Sequence, residues 1–291
     1  MRSKTLIKIL IVGYGDIGQR VARLWLDKQA TVFALARSVP ELATLKHIQA
    51  DLDNPETLHD LPTAAAVVYF FAPPPQLGEN DTRMQNFLAA IADDALPQRI
   101  VYISTSGVYG DCKGAWVTEQ SPTKPVTDRA KRRLAAEQTL QHWANSHQVN
   151  TVILRVGGIY GPGRLPLQRL SQGISVLRRD LAPWSNRIHA DDLAQVCLAA
   201  ASAPSEHAIY NVADNQPSTM SDYFIAVAEK AGLPAPKELD WQQAEAELSP
   251  AMLSYLHESR RMDNSKMLAE RGVELAYPSL DEGLAACIQS K

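Results

Sequence analysis

The stretch IKILIVGYGDIGQRVARLW, residues 7–25, carries an apolar run into Gly13, Gly15 and Gly18 and then into an amphipathic pattern. A strand followed by G-x-G-x-x-G and a helix puts three glycines where the chain must turn tightly, approach a pyrophosphate with bare backbone, and pack helix against strand. The helix N-terminus then offers unpaired N–H groups and a positive dipole end to phosphate. These 19 residues predict a dinucleotide cradle, with Asp16 and Ile17 between the glycines counted among its contacting positions.

Outward from this stretch, LIKILIV, TVFALA, AAVVYFF, RIVYIS and TVILRV alternate with helical patterns. Such alternation predicts an α/β fold of the Rossmann type, a doubly wound parallel sheet with helices on both faces. After about residue 157, glycine and proline become frequent and the alternation fades. The expected organisation is a dinucleotide-binding domain over 1–157 and a smaller C-terminal substrate lobe over 158–291, partly interleaved with it. HAIYNVADNQP reads as a strand and turn, with helices expected over 221–231 and near the end.

The end of the second strand identifies the dinucleotide. An NAD site places Asp or Glu there to bind the ribose 2′-hydroxyl. Here Ala36 is followed by Arg37 and Ser38, and a guanidinium pairs well with a 2′-phosphate. NADP is therefore expected in preference to NAD, the other reading of Arg37 being a solvated strand end. Asp51 and Leu52, after the third strand, are candidates for the adenine pocket, or Asp51 caps the next helix.

Composition excludes other classes. With 291 residues, 45% hydrophobic, 21% charged and net charge −3, the chain has no bias toward nucleic acid or an anionic membrane. No apolar run reaches the ~18 residues of a membrane span. The basic, apolar N-terminus raises a signal peptide, but Lys8 interrupts it and the glycine turn stands where cleavage should occur, so it reads as a strand. Three scattered cysteines, Cys112, Cys197 and Cys287, suggest no disulfide framework and fit a reducing cytoplasm.

The ordered set GYGDIG, RIVYISTSGVYGD, LRVGGIYGPGR, RIHADDLAQV and MDNSKMLAERGVELAYPSLDEGL resembles the extended short-chain dehydrogenase/reductase superfamily, in its NAD-dependent epimerase/dehydratase group. The likeness spans nearly the whole chain. It implies a hydride-transferring enzyme acting on a small molecule, with a nucleotide sugar as candidate substrate and a homodimer through the helix around Lys131 as candidate assembly. The family uses a Ser/Thr on its fifth strand, a Tyr, and a Lys four residues after it. By resemblance these positions are Thr105, with Ser106 beside it, then Thr127 and Lys131; Glu137 matches a downstream Glu. Lys131 would bind the nicotinamide ribose as well as tune the acid.

Thr127 departs from the pattern, and no tyrosine occurs between Tyr109 and Tyr160. Lowering a phenol from ~10 to ~7 asks for ~4 kcal/mol, whereas an aliphatic hydroxyl near ~15.7 asks for ~12 kcal/mol. Thr127 is thus no general base; it donates a hydrogen bond, seats a water, or serves as a helix N-cap. The resemblance is to an atypical member.

Other candidates carry plainer readings. Tyr102 and Tyr109 read as structural, with Tyr160 an alternative donor. His189, Asp191 and Asp192 match no ligand spacing, so no metal is expected. Arg178, Arg179 and Arg187 are possible diphosphate partners. The run Arg129, Lys131, Arg132, Arg133 reads as a solvated helix face, and FAPPPQLGEN as a rigid loop near the coenzyme. Two functions remain open: an NADP-dependent epimerase, dehydratase or reductase, and a turnover-free sensor of NADP.

Overall fold

Five strands and three helices position the nucleotide end of the molecule: β1 (Lys8–Val12), α1 (Asp16–Asp27), β2 (Thr31–Ala36), β3 (Lys46–Gln49), β4 (Val67–Phe70), α2 (Thr82–Ala89), β5 (Arg99–Thr105) and α3 (Asp128–His147). The computed structural model describes residues 7–38, 44–202 and 207–289. A seven-stranded sheet runs in the order His207–Val212, Asn150–Val156, β5, β4, β1, β2, β3. β1 pairs in parallel with both β2 and β4, and β3 and β5 extend the sheet in parallel on either side. Strand order reverses at β1, so the crevice at the carboxyl ends of β1 and β4 is the switch point where such sheets bind ligands.

The apolar runs follow from this geometry. All four residues of β4 are buried, as a strand with both faces covered requires. α1 buries Ile17, Gly18, Val21, Ala22 and Trp25 along one stripe. Trp25 Nε1 donates to the Tyr69 hydroxyl at 2.9 Å, which donates to the Cys197 carbonyl at 3.1 Å, so α1, β4 and the helix Ala190–Ala200 share one buried polar chain. β3, KHIQ, is the exception: an edge strand with no fully buried residue.

Two compact units result. The first comprises Met1–Thr105, Asp128–Arg155 and Leu193–Tyr210; the second comprises Ser106–Thr127, Val156–Asp192 and Asn211–Lys291. Residues 106–127 belong to the second unit and 193–210 to the first, so the units alternate along the chain. The second unit has its own core of Tyr160, Leu170, Tyr223, Phe224, Val227 and Leu284, with helices at Met220–Lys230 and Leu280–Gln289. Cys112, Cys197 and Cys287 are unbridged. Among the described residues, no helix is long and apolar enough to cross a membrane.

Candidate functional site

The three glycines differ in what holds them. Gly13 leaves β1 at φ +95°, and a Cβ there would lie 2.5 Å from Ala72 N and 2.8 Å from Ala72 Cα. No side chain fits where β1 and β4 part. At Gly18 a Cβ would lie 2.8 Å from the Gly13 carbonyl oxygen and 3.2 Å from Ile11 Cγ2, so this glycine sets the close contact of α1 with β1. Gly15 is different: its φ of −82° suits any residue, and a Cβ would meet nothing within 4 Å.

The fold therefore does not require Gly15, whereas a pyrophosphate approaching the backbone does. Gly15 is also the N-cap of α1 and makes no side-chain cap bond, which leaves the helix start to an anion. Asp16 turns to Arg20 at 2.9 Å, and Ile17 packs inward at 8% exposure. The cradle fits a dinucleotide.

At the carboxyl edge of β2, Arg37 and Ser38 are exposed and Ala36 supplies no acid. Asp51 Oδ1 accepts from the Asp53 backbone N–H at 3.0 Å, so the carboxylate shapes its own turn. Leu52 commits its side chain to the core, while its carbonyl accepts from Asn86 Nδ2 at 2.8 Å. Arg83 grips Asp53 through Nε at 2.8 Å and Nη2 at 2.6 Å. That bond, more than the nearby Arg37, holds the Asp53 carboxyl below the usual carboxylate range.

Thr105 closes β5 and is half-buried; Ser106 opens the following 3-10 turn. One residue earlier, Ser104 donates to Glu137 Oε1, and Glu137 also pairs with Arg155, Nη2 to Oε2 at 2.8 Å. This buried trio ties α3 to two neighbouring strands and fixes where the helix sits. Lys131, on the same helix, extends Nζ to Glu79 Oε1 at 2.5 Å, a bond that keeps its ammonium more firmly charged. Thr127 immediately precedes α3, yet its Oγ1 is buried with no hydrogen-bond partner, so it makes no capping bond.

The basic run is not the solvated face expected of it. Arg132 is 8% exposed and donates from Nη1 to the Gly78 carbonyl at 2.5 Å. Arg133 donates to the Ile103 carbonyl at 3.0 Å and its guanidinium lies 5.8 Å from the Tyr102 ring centre. With Lys131 on Glu79, these residues fasten the proline-rich loop 71–80 and the end of β5 to α3. Carbonyls far away in sequence absorb the charges.

Within the second unit, Tyr109 donates to Asn211 Oδ1 at 2.7 Å. Tyr160 is fully buried and its hydroxyl donates to the Ser279 carbonyl at 3.3 Å. Burial pushes its pKa up, the wrong direction for a proton donor near neutrality. His189 Nδ1 accepts from the Asp191 N–H at 3.2 Å, and Asp192 accepts from the N–H groups of Ala276 and Tyr277. Among the described residues no His, Cys, Asp and Glu cluster is arranged to hold a metal. Arg178 is spent on Asp180 at 2.8 Å and Arg179 faces Asp222 at 3.6 Å. Arg187 is buried 4.5 Å from the Tyr223 ring centre. Near it, burial drives the Asp214 carboxyl up to about 7.

A glycine cradle at the switch point of a 3-2-1-4-5 parallel sheet defines a doubly wound dinucleotide-binding protein. The chain belongs to the NAD dependent epimerase/dehydratase family, whose model matches residues 9–213. Among curated relatives, protein YeeZ of Escherichia coli strain K12 is 27% identical, with 93% of this chain and 96% of that protein covered. The dTDP-6-deoxy-L-talose 4-dehydrogenase (NAD(P)(+)) of Kitasatospora kifunensis is 26% identical, covering 84% and 88%. Among solved structures, a functionally unknown conserved protein from Silicibacter pomeroyi DSS superposes with TM-score 0.80 at 27% identity, over 97% of this chain and 98% of that one.

Glu79 lies in the loop read as near the coenzyme, but neither its contact with Lys131 nor the Asp53–Arg83 pair was legible in the sequence. Their partners are tens of residues away, and no local spacing links them.

Proposed function

We propose that the protein is an NADP-preferring oxidoreductase of the epimerase, dehydratase or reductase type, acting on a small carbonyl or hydroxyl substrate of the nucleotide-sugar class. The observation that carries this reading is Gly15: a glycine the backbone does not need, at the uncapped start of α1. The similarity to a dehydrogenase of a dTDP-sugar over 84% of this chain supports the substrate class and favours turnover over a silent sensor.

In this reading the backbone of Gly13, Gly15 and Gly18, with Asp16 and Ile17 opening α1, holds the pyrophosphate against the helix dipole. Arg37 and Ser38 take the 2′-phosphate, and the Asp51–Leu52 turn borders the adenine. Bound there, the nicotinamide supplies hydride acceptance or donation. Lys131 orients the ribose hydroxyls, and Thr105 hydrogen-bonds the substrate oxygen. The buried, unpartnered hydroxyl of Thr127 seats a water that carries the proton a tyrosine would otherwise move.

Calorimetric titration with NADPH and NADH, followed by a hydride-transfer screen of sugar nucleotides and simple ketones, tests the proposal. Preferential NADPH binding with turnover on a sugar nucleotide is the expected result. Absence of binding by both coenzymes overturns it.

A further inference from the structure

β2 and β3 are parallel neighbours with Ala36 opposite Gln49. The Ala50 N–H donates to the Ala36 carbonyl at 3.2 Å, and Gln49 Nε2 donates to the Arg37 carbonyl at 3.4 Å. The chain leaves both strands at one edge, a strand spacing of about 5 Å apart. Arg37 therefore emerges beside the turn that carries Asp51 and Asp53. A carboxylate next to the residue read as a phosphate partner is a conflict: it attracts the guanidinium to itself and repels a phosphate dianion.

The two carboxylates of that turn are held differently. Asp51 Oδ1 accepts from the Asp53 N–H. Asp53 is bound through both oxygens by Arg83, a fork that matches a carboxylate bidentately. Arg83 comes from the first turn of α2, where its own N–H is held by Asp81 Oδ1 at 3.1 Å. Its Nη1 donates to the Pro73 carbonyl at 2.9 Å. The guanidinium is thus fixed by Nε, Nη1 and Nη2 together, more than an ion pair joining α2 to the sheet needs.

We propose that Arg83 is a specificity-determining residue of the coenzyme site: by occupying Asp53 it leaves Arg37 to the 2′-phosphate. This rests on the reading of Arg37 given above. Arg83 does not itself touch the phosphate; it removes a competing charge. NADPH and NADH differ only at that phosphate, so their affinity ratio isolates the effect from any general loosening of the fold.

The test is calorimetric titration of the wild type, Arg83→Gln, Asp53→Asn and the double variant with NADPH and with NADH. The expected result is that Arg83→Gln weakens NADPH by roughly 3- to 10-fold while changing NADH less than about twofold, at low ionic strength. The double variant, which lacks the Asp53 carboxylate that Arg83 binds as well as Arg83 itself, regains the wild-type ratio. Equal weakening of both coenzymes by Arg83→Gln, or a double variant that stays impaired toward NADPH alone, overturns the role of Arg83. A wild type that shows no NADPH preference overturns instead the reading of Arg37, and the role of Arg83 with it.

Discussion

Lys131 Nζ lies 2.5 Å from Glu79 Oε1, so the ammonium that would orient the coenzyme ribose is already engaged by the proline-rich loop. The pair is partly exposed, at 35% for Lys131 and 63% for Glu79. An ammonium carries three donors, so Glu79 competes with the ribose hydroxyls without excluding them.

Glu79→Gln is expected to tighten coenzyme binding by about two- to fivefold, the scale of an exposed ion pair, with a gain over the wild type that shrinks as ionic strength rises. Calorimetry at two ionic strengths checks this. Weaker binding by the variant would mean that Glu79 positions Lys131 rather than competing for it.

Glu137 is 1% exposed and Arg155 5%, and removing one partner strands the other charge in the core. Glu137→Ala is expected to cost about 3–5 kcal/mol in urea unfolding. Replacing Glu137 and Arg155 together with Met should recover most of that loss, since a buried pair contributes little beyond its apolar equivalents. If the double variant is as unstable as the single, the pair is more than self-compensating.

Asp214 supplies the pH dependence. Burial raises its folded-state pKa to about 7, above the ~3.9 of an unfolded chain. A raised carboxyl is stabilising while protonated, so its contribution is fully present below pH ~4 and is lost as pH rises through about 7. Asp214→Asn keeps an acceptor for the Gln216 N–H, which Asp214 Oδ1 holds at 3.0 Å. The variant is expected to match the wild type near pH 4 and exceed it at pH 8 by up to about 4 kcal/mol. Denaturant melts at the two values measure this; a gap that does not change with pH would refute it.

Local chemistry was the part of the molecule open to reading in advance. The β1–α1 turn is legible because its three glycines and its helix periodicity are adjacent in the sequence, over residues 13–27. β2, β4 and β5 announce themselves as apolar runs because covered parallel strands are apolar throughout. β3 is faint because it is a polar edge strand. The long-range part was hidden. Arg132 and Arg133 look solvated on a helix until the Gly78 and Ile103 carbonyls arrive from elsewhere in the chain. Thr127 looks like a helix cap, and only the fold shows its hydroxyl buried without a partner.

The cradle itself is tested most directly by Gly15→Ala, compared with the wild type in NADPH titration and thermal melting. The added methyl meets nothing within 4 Å and the backbone there suits alanine, so the melting temperature should stay within a few degrees. NADPH affinity should fall by about tenfold or more, because the methyl occupies the approach of the pyrophosphate. A variant that melts like the wild type and binds NADPH as tightly would contradict the placement of the dinucleotide on Gly15.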